Sequence, residues 1–238
     1  TSGAVQCWGY NAQGQLGTGN TMNTTAPGAT IAGLSAKSIS AGTNQTCAIL
    51  MTGELSCWGG NAQGQLGNGM MTNSSTPILV PGLANITAVK TGYGFTCAVD
   101  GGGVLRCFGD NTYGQLGLGN MTSQLTPQIV TGVTNAVGVA CGTNAMVGAH
   151  TCALRGNGGV LCFGLNDMGQ LGLGDVMNRS TPQLVSLPPV AEVAAGYQFA
   201  CARLVSGAVR CWGLNDSSQL GSGKATSRET IPVPVVFP

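Results

Sequence analysis

"CWGGNAQGQLGNG" (57–69) is written five times with small changes: "CWGYNAQGQLGTG" at 7–19, "CFGDNTYGQLGLG" at 107–119, "CFGLNDMGQLGLG" at 162–174 and "CWGLNDSSQLGSG" at 211–223 are the other copies. They begin at 7, 57, 107, 162 and 211, at intervals of 50, 50, 55 and 49 residues. A fixed period near fifty means one supersecondary unit used repeatedly. Each unit is too small to bury its own apolar face, and its neighbours bury it instead. The repeat runs through the whole chain, so residues 1–238 read as a single array without a linker.

The stretch before each cysteine fixes the unit. In "TCAILMTGELSC" (46–57), an antiparallel hairpin that sets Cys47 opposite Cys57 also sets Leu50 opposite Glu54, leaving Met51-Thr52-Gly53 as the loop. The same arithmetic gives loops at 101–103, 156–158 and 205–207, each with Gly third. A three-residue hairpin loop wants a left-handed residue there, and Gly has no Cβ penalty. Cysteines and glycines thus agree on one register. Four pairs follow: Cys47–Cys57, Cys97–Cys107, Cys152–Cys162 and Cys201–Cys211. Opposed residues at a non-hydrogen-bonded position bring their Cβ atoms within bridging reach, so these pairs predict disulfides and an oxidising, extracellular or cell-surface location. A zinc site would ask for Cys-x-x-Cys clusters with His. The chain has neither such clusters nor more than one His, so no metal and no cofactor are expected.

The remaining segments are strand-like. "TPILV" (76–80), "TPQIV" (126–130) and "TPQLV" (181–185) read as short strands after a proline, and "ITAVKTG" (86–92) and "AEVAAG" (191–196) as two more. Nothing shows a sustained 3.6-residue apolar period. Four short strands per ~50 residues, with an aromatic and Gly motif in each, predict an all-β fold: a β-propeller of four-stranded blades. About four and a half to five blades fit in this chain, as part of a larger ring. Within the motif, the aromatic after the cysteine (Trp8, Trp58, Phe108, Phe163, Trp212) and the Leu of "QLG" are the expected core anchors. The Asn at 11, 61, 111, 166 and 215 is expected to bond backbone in a turn. Gln15 and its counterparts are expected to satisfy backbone groups between blades.

"CWGxNxxGQLGxG", with "GAHTCAL" (148–154) upstream of "GVLCFG" (159–164), resembles the regulator of chromosome condensation repeat over essentially the whole chain. The resemblance implies a propeller of four-stranded antiparallel blades. The founding member is a nuclear exchange factor for a small GTPase that docks on chromatin. No basic tail matches that role here, and hairpin disulfides point to the secreted, disulfide-containing branch. In that branch, plant receptor-kinase ectodomains, bacterial surface proteins and a secreted β-lactamase inhibitor use the propeller as a binding or structural platform.

Composition narrows the function. Charged residues are 7% with a formal net charge of +1, against the basic face that a nucleic-acid binder needs. No apolar run approaches the ~18 residues of a membrane span, so membrane insertion is not expected. The eight acidic residues form no repeated pair. Asp167 and Asp216 share one slot of two repeats and read as turn residues. His150, the one histidine, reads as a packing residue. No nucleophile elbow or phosphate loop appears, so the chain reads as a non-enzyme.

Six Asn-x-Ser/Thr sequons (Asn23, Asn44, Asn73, Asn85, Asn120, Asn178) are glycosylation candidates; the alternative is a polar loop without sugar. Cys7 and Cys141 are unmatched. Cys7 is expected to bridge to the missing strand of its hairpin in the completing polypeptide, with Cys141 as the rival partner; otherwise Cys141 is a small buried thiol. By the hairpin arithmetic, Thr1-Ser2-Gly3 fills the loop slot before Cys7, and "TIPVPVVFP" (230–238) reads as the first strand of a further blade. That count gives eighteen strands and an incomplete ring, completed by other polypeptide, either more of a longer chain or a neighbouring copy. Two functions stay open: an extracellular structural module of a surface or matrix assembly, possible as a polymer, or a ligand-binding ectodomain (receptor, adhesin or inhibitor) that takes a protein or glycan on a propeller face.

Overall fold

The computed structural model describes residues 3–142 and 149–236. Four sheets of four antiparallel strands follow one another along the chain. The first holds β1 (Ala36–Ala41), β2 (Gln45–Leu50), β3 (Leu55–Gly59) and β4 (Ser74–Leu79). The second holds β5 (Ile86–Thr91), β6 (Phe95–Asp100), β7 (Leu105–Gly109) and β8 (Gln124–Ile129). The third holds β9 (Ala136–Cys141), β10 (His150–Arg155), β11 (Val160–Gly164) and β12 (Arg179–Leu184), and the fourth β13 (Val190–Ala195), β14 (Phe199–Leu204), β15 (Val209–Leu214) and β16 (Arg228–Pro234). Every sheet pairs its strands in sequence order, as an up-and-down blade. Among the described residues no helix is long and apolar enough to cross a membrane.

The hairpin register is the expected one. Cys47, Cys97, Cys152 and Cys201 face Cys57, Cys107, Cys162 and Cys211. Their Cα atoms are 4.0–4.1 Å apart and all four pairs are bonded. That spacing is the close approach of a non-hydrogen-bonded pair. The loop glycines Gly53, Gly103, Gly158 and Gly207 have φ of 92°, 75°, 81° and 89°, the left-handed region where a Cβ is penalised.

The core lies between sheets. β2 and β3 are buried along nearly their whole length, because each is sandwiched between two neighbouring blades. Trp58, Phe108, Phe163 and Trp212 are fully buried. Each packs against the "QLG" glycine of the blade before it: a Cβ on Gly17, Gly67, Gly117 or Gly172 would sit 2.6–2.9 Å from that ring. The motif glycine is therefore a close-approach glycine as well as a turn glycine. Burial of one such ring stabilises by roughly 1.5–3 kcal/mol.

Three expectations change. The outer strands begin before their prolines, so Pro77, Pro127 and Pro182 lie inside β4, β8 and β12; an outermost strand tolerates Pro because only one edge needs a ladder. The segment at 228–234 is not the first strand of a further blade but the fourth strand of the last sheet, paired with β15. Sixteen strands are present among the described residues, not eighteen. The half blade is N-terminal: residues 3–35 make only the isolated bridges Ala4↔Ser35 and Gly9↔Thr24. Accordingly Trp8 is 57% exposed, unlike its four counterparts.

Candidate interaction face

The motif loop is built from its asparagine. Asn11, Asn61, Asn111, Asn166 and Asn215 are buried. Each accepts through Oδ1 from the N–H of the "QLG" leucine at 2.9–3.1 Å. Each donates Nδ2 to the loop nine to eleven residues on, as Asn11 does to the carbonyls of Asn20 and Met22. One side chain thus closes both halves of the loop, as expected.

The glutamine works differently from expectation. Its side chain stays within its own loop: Gln15 Oε1 accepts from Gln13 N–H, and Gln65, Gln115, Gln170 and Gln219 repeat this. Its main-chain carbonyl makes the link between blades. Gln15 C=O accepts from Thr46 Oγ1 and Trp58 Nε1, both at 2.9 Å. Gln65 and Gln115 C=O accept from Thr96 and Thr151. Gln170 C=O accepts from Trp212 Nε1 at 2.9 Å.

In an up-and-down sheet the β1–β2 and β3–β4 loops share one end, and the β2–β3 hairpins and blade-to-blade connections share the other. All four tyrosines are at the first end: Tyr10 and Tyr113 in motif loops, Tyr93 and Tyr197 in the loops after β5 and β13. Tyr10 is 59% and Tyr197 44% exposed. Exposed Met22, Met70, Met71, Met121 and Met177 follow the motif at the same end of successive blades. Among the described methionines only Met51, in the β2–β3 hairpin, is at the other end. Sequence reading had not collected these residues on one face, because nothing in the chain states which loops share an end until the strand pairing is known.

The polar groups here are structural. Asp110 accepts from Thr112 and Gln115, Asp167 from Gln170 and Gln198, and Asp216 from Gln219. Asp175 is held below the usual carboxylate range by the Met177 N–H and by Arg179, 2.6 Å away. His150 is fully buried, with its ring against Gly142. It occupies the slot where Gln45 donates to the Gly92 and Phe95 carbonyls. Burial lowers its pKa to about 4, partly offset by the Phe199 carbonyl and by Asp167. Among the described residues no three His, Cys, Asp or Glu gather as metal ligands.

The sequons divide into distinct slots. Asn23, Asn73 and Asn178 are exposed, and each accepts through Oδ1 from the N–H of the motif asparagine of its repeat at 2.8 Å. Asn120 instead makes an Asx turn to Thr122 N–H. Asn44 is half-buried in the β1–β2 loop, and Asn85 is exposed at the opposite end with φ 54°. Three of the six asparagines therefore have a capping role that accounts for their recurrence. A sugar on Nδ2 would leave that acceptor in place. Cys7 and Cys141 are not bonded to each other. Cys7 packs by Trp58 in the half-blade cluster, and Cys141 is buried among Phe95, Val139 and Phe163. Of the two readings, the structure has the buried thiol.

The regulator of chromosome condensation (RCC1) repeat matches residues 2–49, 52–99, 103–154 and 157–203, and a second form of the repeat matches 36–65, 86–115 and 190–219. The chain belongs to the RCC1 repeat family. Among solved structures, it is similar to human WBSCR16 (23% identity, TM-score 0.85, covering 100% of this chain and 64% of that one). It is also similar to a chain from Kap60 bound to yeast RCC1 (Prp20) (19%, 0.84, 99% and 57%). Prp20p of Saccharomyces cerevisiae, described with its binding to Gsp1p and histones, matches likewise (19%, 0.78, 99% and 59%). No curated protein matches. The chain thus spans about three fifths of these relatives, and at such identities the likeness carries the RCC1 propeller fold alone.

Proposed function

We propose that this RCC1-type propeller is a non-enzymatic binding module of an oxidising, extracellular or cell-surface compartment, taking a protein partner on the face built from its motif loops. The observation that carries the reading is the gathering of all four tyrosines and the exposed Met22, Met70, Met71, Met121 and Met177 at one end. Tyr gives rigid, amphipathic contact area and Met gives adaptable contact area, the chemistry favoured at protein interfaces. The four bonded hairpins support the compartment. Of the two functions the sequence left open, this favours ligand binding, with a protein ahead of a glycan.

Hydroxyl-radical footprinting tests it on the protein in its native extract and after purification. The expected result is protection in the extract of Tyr10, Tyr197, Met121 and Met177, with Val205, exposed in the β14–β15 hairpin at the other end, oxidised equally in both. Equal oxidation at both ends in both samples refutes the reading.

A structural role in an assembly draws support from a separate observation, the exposure of Trp8 where its counterparts are fully buried. On that reading other polypeptide covers the half-blade edge. Trp8 emission that is blue-shifted in native material and red-shifted in the isolated chain, read against a Trp8→Phe control, would support it. Emission alike in both would count against it.

A further inference from the structure

Each joint between blades is made of the same two parts, and the two ends of the array present one of each unused. Trp58, Phe108, Phe163 and Trp212 lie on Gly17, Gly67, Gly117 and Gly172 of the blade before. Trp58 and Trp212 also donate Nε1 to the carbonyls of Gln15 and Gln170. In the half blade, Cys7 packs towards the first sheet. Successive side chains of an extended chain point to opposite faces, so Trp8 points away from that sheet, and it is 57% exposed. At the other end the fifth glycine of the series, Gly221, is bare. A Cβ there would meet Val235 of its own blade at 3.2 Å and no ring. Gln219 is correspondingly half-buried, where Gln15, Gln65, Gln115 and Gln170 are buried.

Two departures from the repeat say which kind of neighbour the last sheet takes. Arg203 stands where Ile49, Val99 and Leu154 are buried against the inner strands of the next blade. It pairs with Glu192 at 3.3 Å, and the two side chains are 50% and 68% exposed. Inner strands laid over them would carry the desolvation cost of a buried ion pair. Nearer the rim, Ser218, with φ 60°, replaces Gly14, Gly64, Gly114 and Gly169. A Cβ on those glycines would come within 2.5–2.8 Å of Ser75, Leu125, Ser180 or Thr230 in the outermost strand of the next blade, and Ser218 has that Cβ. A complete blade is thus opposed at its inner and its outermost strand. The half blade has neither among the described residues: segment 3–35 holds no inner strand, and its outermost part makes the single bridge Gly9↔Thr24. What it does offer, the Trp8 ring, is what Gly221 lacks.

We infer that the last sheet takes the half blade of a second copy of this chain, head to tail, with the Trp8 ring of one copy on Gly221 of the other and Trp8 Nε1 donating to the Gln219 carbonyl. The inference rests on the reading above in which other polypeptide covers the half-blade edge, and it names that polypeptide. Leu220, Val233 and the partly buried Val209 and Val235 form the apolar floor beside the ring. The Glu192–Arg203 pair stays in water, because no inner strand reaches it. Such a joint leaves one Trp8 and one Gly221 free at the ends of every dimer, so it repeats into a ring or a filament.

Sedimentation velocity on the full chain over a concentration series tests it. The parent should associate beyond the dimer. Trp8→Ala, which removes an exposed ring, and Gly221→Asn, whose side chain fills the slot while Asn tolerates the left-handed backbone, should each weaken association on the order of tenfold or more. An equal mixture of the two variants should form a dimer and stop there, because one joint between them is intact: Gly221 of the first with Trp8 of the second. Arg203→Ala should associate as the parent does, and far-UV circular dichroism should report an intact fold in all three variants. A monomeric parent, association untouched by Gly221→Asn, a mixture that stays monomeric, or association altered by Arg203→Ala overturns the inference. A monomeric parent whose Trp8 emission is nonetheless blue-shifted in native material overturns the second copy alone and leaves the covered half-blade edge standing.

Discussion

Replacing Trp212 by Phe should destabilise the chain more than replacing Trp58 by Phe, although both rings are fully buried in the same slot of their blades. The reason lies in the carbonyl each one serves. Gln15 C=O accepts from two donors, Trp58 Nε1 and Thr46 Oγ1. Gln170 C=O accepts from Trp212 Nε1, and Ala200 occupies the slot of Thr46. Trp58→Phe therefore removes one bond of two, a net loss of about 0.5–1.5 kcal/mol. Trp212→Phe leaves a buried carbonyl without a protein donor, at about 1–3 kcal/mol. Trimming indole to phenyl is common to both changes, so the difference, about 0.5–1.5 kcal/mol, isolates the orphaned acceptor. Urea unfolding followed by far-UV circular dichroism measures it. Ala200→Thr in the Trp212→Phe background should recover most of the loss, because it recreates the arrangement in which Phe163 is accompanied by Thr151. Equal midpoint shifts for the two Trp→Phe variants, or no recovery by Ala200→Thr, would refute the reasoning.

Replacing Cys97 and Cys107 together by Ala, which opens a loop with sequence separation 10, should cost about 3 kcal/mol on the chain-entropy account; non-reducing peptide mapping of the parent should recover all four hairpin pairs intact. His150 titrates near 4 in the fold and near its ordinary 6.5 when unfolded. Its contribution to stability is therefore full above pH ~6.5 and is lost as pH falls towards 4, about 3 kcal/mol in all. His150→Gln, borrowing the residue of the Gln45 slot, should flatten that part of the pH–stability curve. Burial pushes the Cys141 thiol up to about 12, so iodoacetamide at mild alkaline pH should leave it unlabelled until the chain unfolds, whereas half-buried Cys7 should label in the native state. Intact mass before and after glycosidase treatment of native material should report sugar on exposed Asn23 or Asn178, and mass unchanged at both would remove the glycan expectation.

The sequence by itself determined whatever is local to a hairpin or a turn. The ten-residue cysteine spacing and the third-position glycine fix one register, since in a short hairpin the loop conformation dictates which residues oppose each other. That made the disulfide pairs, the strand-rich unit and the motif asparagine's turn role legible before any coordinates. Tertiary structure decided whatever depends on the neighbouring blade. It assigned the blade link to the carbonyl of Gln15 rather than to its amide side chain, because the donors, Thr46 and Trp58, arrive from the next repeat. It gave the segment 228–234 to the last sheet rather than to a new one, because strand order along the chain does not say which four strands pair into one blade. It left Trp8 exposed while four identical-looking slots are buried, since burial belongs to the pair of blades and not to the motif.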